Sequence, residues 1–234
     1  MTLATTPAAV AIKRLAVALD FPAVAPALAL FERLQGAAGL FKVGSELFLQ
    51  TGPAAVRELT GRGAPVFLDL KFHDIPRTVA AASREAARMG AAIFNVHASG
   101  GVEMMRAAAE AARAERPQTK IIAVTVLTSL PATEEQVLRL ADSAKEAGLD
   151  GVVAAPTEMR ALRARFGPNF LLVSPAIRPA WAVAKDDQKR TATPADATAA
   201  GADYIVVGRP ITGDRKSTRL NSSHIQKSRM PSSA

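Results

Sequence analysis

The sequence predicts an α/β protein folded as a single closed (β/α)8 barrel, a TIM barrel, and three observations lead there. Eight short β-branched and apolar runs recur along the chain, and Ala-rich stretches with charges spaced for one exposed face separate them. The runs are apolar on both faces, as parallel strands covered on both sides must be. At 234 residues, 49% of them hydrophobic, the chain has the size of such a barrel, commonly about 200–250 residues in one domain.

In order, the runs are Leu15–Leu19, Leu40–Val43, Val66–Leu70, Ala92–Val96, Ile121–Val126, Gly151–Val153, Phe170–Val173 and Tyr204–Val207. Among the intervening segments, Pro76–Met89, Val102–Ala114, Glu134–Ala147 and Pro194–Ala200 read as helices with one charged face. Gly90-Ala91-Ala92, Gly148-Leu149-Asp150 and Gly201-Ala202-Asp203 each read as a helix C-cap followed by a tight entry into the next strand. An open doubly wound sheet would want a glycine-rich first turn, and Asp20-Phe21-Pro22 after the first strand is not one. The domain reading is a disordered tail over 1–13, the barrel over 14–213, and a non-native, disordered tail over 214–234.

Composition narrows the function classes. Without cysteine, disulfides and thiol chemistry are out, which fits a reducing compartment, and the cytoplasm is the expected location. The apolar run Ala8–Ile12 is too short for a signal-peptide core, and no stretch approaches the roughly 18 apolar residues of a membrane span. Of the formal net charge of +8, five charges belong to Arg215, Lys216, Arg219, Lys227 and Arg229, with no acid after Asp214, which leaves +3 for the rest. That balance, with one Trp and one Tyr, does not describe a nucleic-acid surface.

In a barrel the chemistry sits where each strand stops at its C-terminal end. Those positions are Asp20; Lys42; Asp69, Lys71 and Asp74; Asn95 and His97; Thr128 and Ser129; Arg178 and Gln188; and Gly208 and Arg209. Asp69 and Lys71 stand two apart, so strict alternation places both on one face and Leu68 and Leu70 on the other. If that face is the interior, opposite charges share a confined site with Lys42 arriving from the neighbouring strand. A buried ion pair is weak evidence for stability, so an array of this kind points to function.

The segment Asp69-Leu70-Lys71-Phe72-His73-Asp74-Ile75-Pro76 resembles the DxKxxD signature of the orotidine 5'-phosphate decarboxylase family, with the Asp-Ile-Pro ending typical of the decarboxylases themselves. Further blocks agree in order and spacing: Ala18-Leu19-Asp20, Phe41-Lys42-Val43-Gly44, Asn95-Val96-His97-Ala98, Val126-Leu127-Thr128-Ser129, Ser174-Pro175-Ala176-Ile177-Arg178, Asp187-Gln188 and Val206-Val207-Gly208-Arg209-Pro210-Ile211-Thr212. The similarity runs from about Arg14 to Thr212.

The resemblance implies decarboxylation of orotidine 5'-phosphate to uridine 5'-phosphate, with no cofactor and no metal. Lys71 would stabilise and protonate the carbanion left at C6, with Asp69, Lys42 and Asp74 holding it charged and aimed. Asp20 and Lys42 would contact the ribose, and Thr128 and Ser129 would border the base. Arg178 and Gln188 belong to the closing loop, and Gly208 and Arg209 hold the phosphate, a group often bound after the last two strands of this fold. Asp74 and Thr78 would reach the partner's site, so a homodimer is implied.

Other residues take a plainer reading: His97 as a hydrogen-bonded structural histidine, His73-Asp74 as no metal pair, Met104-Met105 as helix packing, Trp181 as a lid contact or an exposed ring, and Ser174 as lacking a nucleophile elbow. Ala176 stands where the family usually has glycine, which matters only if that backbone needs a positive φ. After Gly213 the chain has no apolar stripe and six serines in its last eighteen residues. It reads as translated library-adapter DNA in place of the last helix, which would leave an apolar strip over the eighth and first strands exposed. Two rivals remain: a Mg2+-dependent sugar-phosphate lyase or synthase sharing Asp69-x-Lys71, and a nucleotide-binding protein without turnover.

Overall fold

The computed structural model describes residues 12–177 and 192–213. Within them run eight strands: β1 (Leu15–Ala18), β2 (Leu40–Gly44), β3 (Val66–Phe72), β4 (Ile93–His97), β5 (Lys120–Val124), β6 (Gly151–Val153), β7 (Leu171–Ser174) and β8 (Tyr204–Val207). All pair in parallel with their neighbours in chain order, and β8 closes on β1 through Ala16↔Val206. The helices are α1 (Val24–Leu34), α2 (Ser45–Thr51), α3 (Pro53–Gly61), α4 (Pro76–Arg88), α5 (Gly101–Glu115), α6 (Glu134–Glu146), α7 (Met159–Phe166), α8 (Pro194–Ala199) and α9 (Arg209–Thr212). The predicted (β/α)8 barrel is therefore observed, with strand limits displaced by at most two residues and those of β6 and β8 as predicted.

Local chemistry sets the element ends. Proline occupies the first turn of α3, α4, α8 and α9, where its missing N–H has no intrahelical acceptor to lose. Thr133 accepts the Gln136 N–H and Thr193 accepts the Asp196 N–H, each capping the helix that follows. Gly90, just past α4, has φ of +84°, the left-handed turn that a side chain would resist.

Alternation along the strands builds two apolar layers. Ala16, Leu40, Phe67, Ile93, Ile122, Val173 and Val206 pack inside the barrel. Val17, Phe41, Leu68, Phe94, Ile121, Leu172 and Val207 face the helices in a larger cluster. There Phe31 of α1 meets Phe41 of β2 edge to face, at 4.9 Å and 86°. Truncating either ring would cost about 3–5 kcal/mol by removing its burial and leaving a cavity. Met104 and Met105 are buried in that cluster, as their packing reading expects. At the N-terminal end of the strands Arg163 of α7 donates to the carbonyls of Gly167, Phe170 and Gly201 and to Asp203, whose carboxylate also accepts the Leu172 N–H. This one guanidinium ties α7, β7 and the entry to β8 together.

Two expectations need correction. The apolar strip over β8 and β1 is not exposed: Val17, Leu19, Ile205 and Val207 are all buried, and Ile211 from the single turn of α9 packs against the same core. Strict alternation does not carry β3 to its end either. The step from Leu68 to Phe72 spans four positions against two from Phe94 to Val96, and Lys71 has φ of +54°. Asp69 and Lys71 still meet, but through a bulge and a left-handed residue rather than a regular pleat.

Candidate active site

The strands deliver charge to one mouth of the barrel. Lys42 occupies an inward position of β2, two residues on from Leu40, and is 9% exposed. Its Nζ donates to Asp20 Oδ1 at 3.0 Å and lies 3.4 Å from Asp69 Oδ2. Lys71 Nζ donates to the other oxygen, Asp69 Oδ1, at 2.7 Å. Asp69 thus sits between two ammonium groups. Burial works against its ionisation, but the Lys42 and Lys71 charges, with hydrogen bonds from Lys71 and Asn95, outweigh that and hold its pKa below the usual carboxylate value.

Beneath this array lies a cavity of about 200 Å³. Lys42, Asp69 and Lys71 form its charged wall, while Phe67, Val124, Val126, Leu127, Thr128, Val153, Val173, Pro175 and Val206 supply the rest. A flat, largely apolar ring with one ionic edge suits such a space, because charge interactions strengthen where water is thin. Among the described residues no group of three His, Asp or Glu side chains is placed to hold a metal ion.

The remaining positions fall as follows. Thr128 borders the cavity, whereas Ser129 is exposed and outside its lining. Gly208 follows β8 directly, and a side chain there would meet Ala18 at 3.4 Å and Asp20 at 3.7 Å, so the end of β8 abuts the end of β1. Arg209, the first residue of α9, is exposed. Asp74 and Thr78 are exposed beside and on α4. The Asp74 carboxylate accepts its neighbour Ile75's N–H at 2.6 Å and forms no ion pair with Lys42 or Lys71 of its own chain. Arg178, Gln188 and Trp181 lie outside the described residues.

Two residues of the site have no role assigned from the sequence, although Asn95 is among its strand-end positions. Gly44 leaves room for the Lys42–Asp20 pair, since a Cβ there would stand 2.9 Å from Lys42 Nζ and 3.3 Å from Asp20 Oδ1. Asn95 is 1% exposed and bonds both Asp69 and the Lys71 backbone. Its signal was a polar residue at an inward position of the otherwise apolar run Ile93–Val96. His97 stacks near His73 at 5.4 Å between ring centres. Burial first, then the charges of His73 and Lys71, push its pKa below 6.5 against the opposing pull of Asp69.

A closed parallel barrel with an acid–base array over a cavity at the C-terminal strand ends defines a (β/α)8-barrel enzyme. The family model described as Orotidine 5'-phosphate decarboxylase / HUMPS family matches residues 13–219, and the chain belongs to that family. It is 52% identical over 216 residues to the orotidine 5'-phosphate decarboxylase of Moorella thermoacetica, with 85% of each chain covered. It is 54% identical over 210 residues to that of Halorhodospira halophila, covering 85% of this chain and 89% of the relative. The crystal structure of orotidine 5'-phosphate decarboxylase from Lactobacillus acidophilus superposes with a TM-score of 0.75 at 34% identity, over 92% of this chain and 99% of the other.

Proposed function

We propose that this chain decarboxylates orotidine 5'-phosphate to uridine 5'-phosphate without a cofactor, the last step in making that nucleotide. The observation that carries the reading is the Lys71 ammonium, bonded to Asp69 and facing the cavity beside Lys42. When the C6–carboxylate bond breaks, its electron pair stays on C6 as CO2 leaves. No cofactor delocalises that pair, so fixed charge has to stabilise it. The Lys71 Nζ–H lies nearest in kind and placement, and it donates its proton to C6. The neutral amine then regains a proton from solvent. Asp69 keeps Lys71 charged and aimed before the reaction and faces the substrate carboxylate.

The ribose hydroxyls go to Asp20 and Lys42, and the base lies against Thr128 in the cavity wall, with Ser129 beside it at the exposed rim. The phosphate goes to the Gly208 N–H and the Arg209 guanidinium, with Arg178 and Gln188 closing over it. Binding energy from that unreactive phosphate serves to position the ring. Among the described residues no cation pairs with Asp74, which supports its use, with Thr78, in the site of a second copy. The active unit is then a homodimer, working in the cytoplasm; no helix among the described residues is long and apolar enough to cross a membrane. Residues 214–234 are read as non-native sequence, and sequencing the genomic locus through those codons tests this.

The test of the activity is loss of orotidine 5'-phosphate absorbance by the purified chain in EDTA, beside Lys71→Ala. Turnover in EDTA that falls by at least about 10³-fold in the variant is expected, since both charge stabilisation and proton delivery are removed. Turnover that needs added Mg2+, or that survives the substitution, would overturn the reading.

A further inference from the structure

We infer that Asn95 is a positioning residue for the decarboxylation, holding both the backbone and the ion pair of Lys71; the inference rests on the assignment of Lys71 as proton donor. The bulge between Leu68 and Phe72 takes the Lys71 N–H out of the regular β3–β4 ladder. Asn95 replaces the lost partner: its Oδ1 accepts the Lys71 N–H at 2.8 Å. Its Nδ2 donates to Asp69 Oδ1 at 2.7 Å, the same oxygen that accepts from Lys71 Nζ at 2.7 Å. Lys71 N–H, the Asn95 carboxamide, Asp69 and Lys71 Nζ therefore form a closed ring of hydrogen bonds.

Only one orientation of the amide fits. Its oxygen must face an N–H and its nitrogen must face a carboxylate; the flipped group would set like against like at both ends. The strand places the residue where it can do this, because Asn95 pairs with Ile122 at an inward position of β4 and is almost wholly buried. Lys71 adopts φ of +54°, unfavourable for a side chain of its length. Such a conformation persists only where the surroundings over-determine it. Asn95 supplies that restraint from an almost wholly buried position outside the cavity's lining.

Asn95→Ala and Asn95→Asp test the inference together. The alanine variant should lose about 10²-fold in kcat, the scale of a roughly 1 Å misplacement, with KM for orotidine 5'-phosphate within about threefold of the parent. In the aspartate variant a second carboxylate faces Asp69 at neutral pH. Protonated, it again offers a carbonyl to the Lys71 N–H and a donor to Asp69, so its activity relative to the parent should climb as pH falls. Amide hydrogen exchange gives a readout independent of turnover. In Asn95→Ala the Lys71 N–H should exchange at least about tenfold faster while Phe67 in the same strand stays protected.

A kcat within threefold of the parent, a flat relative pH profile for Asn95→Asp, or an unchanged Lys71 exchange rate would each overturn it. A parent chain that does not turn over would count against the decarboxylase assignment instead, and the exchange comparison would still decide whether Asn95 restrains the Lys71 backbone.

Discussion

Lys71 Nζ and Asp69 Oδ1 stand 2.7 Å apart although the residue between them and the left-handed turn at Lys71 break the strand's alternation. Among the described residues only Asp69 pairs with both Lys42 and Lys71, so Asp69→Asn leaves the two ammonium groups near one another without the carboxylate between them. Their repulsion favours deprotonation of one amine, and a neutral Lys71 can neither stabilise a carbanion nor donate to it. Turnover should fall by at least about 10³-fold with the circular dichroism spectrum unchanged. A variant retaining a tenth of parental kcat would show that Lys71 stays charged and aimed without the Asp69 carboxylate.

Ala176 meets the condition on which its departure from the family pattern matters, for its φ is +62°. Glycine at 176 would relieve about 1–2 kcal/mol of left-handed strain. It would also lose about 0.8 kcal/mol of methyl burial and 0.4–1 kcal/mol through a freer unfolded chain. These nearly cancel, so Ala176→Gly should change stability by less than about 1 kcal/mol. Valine adds β-branching to the same strained backbone in a site that is 5% exposed, and Ala176→Val should destabilise by roughly 2 kcal/mol or more. Urea unfolding of the three forms distinguishes the outcomes; a valine variant as stable as the parent would remove the argument from strain.

Much of this was legible because period and punctuation survive in the sequence. The eight apolar runs, the proline-started helices and Gly90, Gly148 and Gly201 all report on backbone demands that are local. The bulge in β3 was not legible, because Asp69-Leu70-Lys71 has the same alternating pattern whether the strand is regular or not. At the bulge the neighbouring strand offers Asn95, a contact between residues 24 positions apart that a local pattern does not carry. The apolar strip over β8 was misjudged for a related reason: burial of Ile205 and Val207 depends on tertiary neighbours such as Ile211, not on a helix pattern following the strand.

Acid should weaken the fold in two windows, and the signs follow from the two depressed groups. His97 has a folded pKa below 6.5, so the unfolded chain binds the extra proton; stability is fully present above about 6.5 and declines as pH falls toward the folded value. Asp69, held below 3.8, adds stability that is present above that value and lost as pH falls through its folded pKa. Melting temperature should therefore drop first as pH falls below about 6.5. His97→Gln should flatten that first decline relative to the parent, leaving the lower one. A parent whose melting temperature does not begin to fall as pH drops below about 6.5, or a variant that declines just as steeply, would contradict the depressed pKa of the half-buried His97.

If Asp74 serves the site of a second copy, subunit mixing has a quantitative outcome. Lys71→Ala and Asp74→Ala homodimers should each be inactive, since every site lacks one of the two groups. In a mixed dimer, one site pairs the defective Lys71 chain with the defective Asp74 chain and lacks both groups. The other takes Lys71 from the Asp74→Ala chain and Asp74 from the Lys71→Ala chain, and is intact. Random reassembly of equal amounts makes half the dimers mixed, each with one working site of two, so roughly a quarter of parental activity should return. The exposed setting of Asp74, bonded among the described residues to the Ile75 N–H, leaves its carboxylate open to such use. Recovery near a quarter requires exchange of subunits and a site built across them. No recovery after demonstrated exchange would place Asp74's contribution, if it has one, within its own chain.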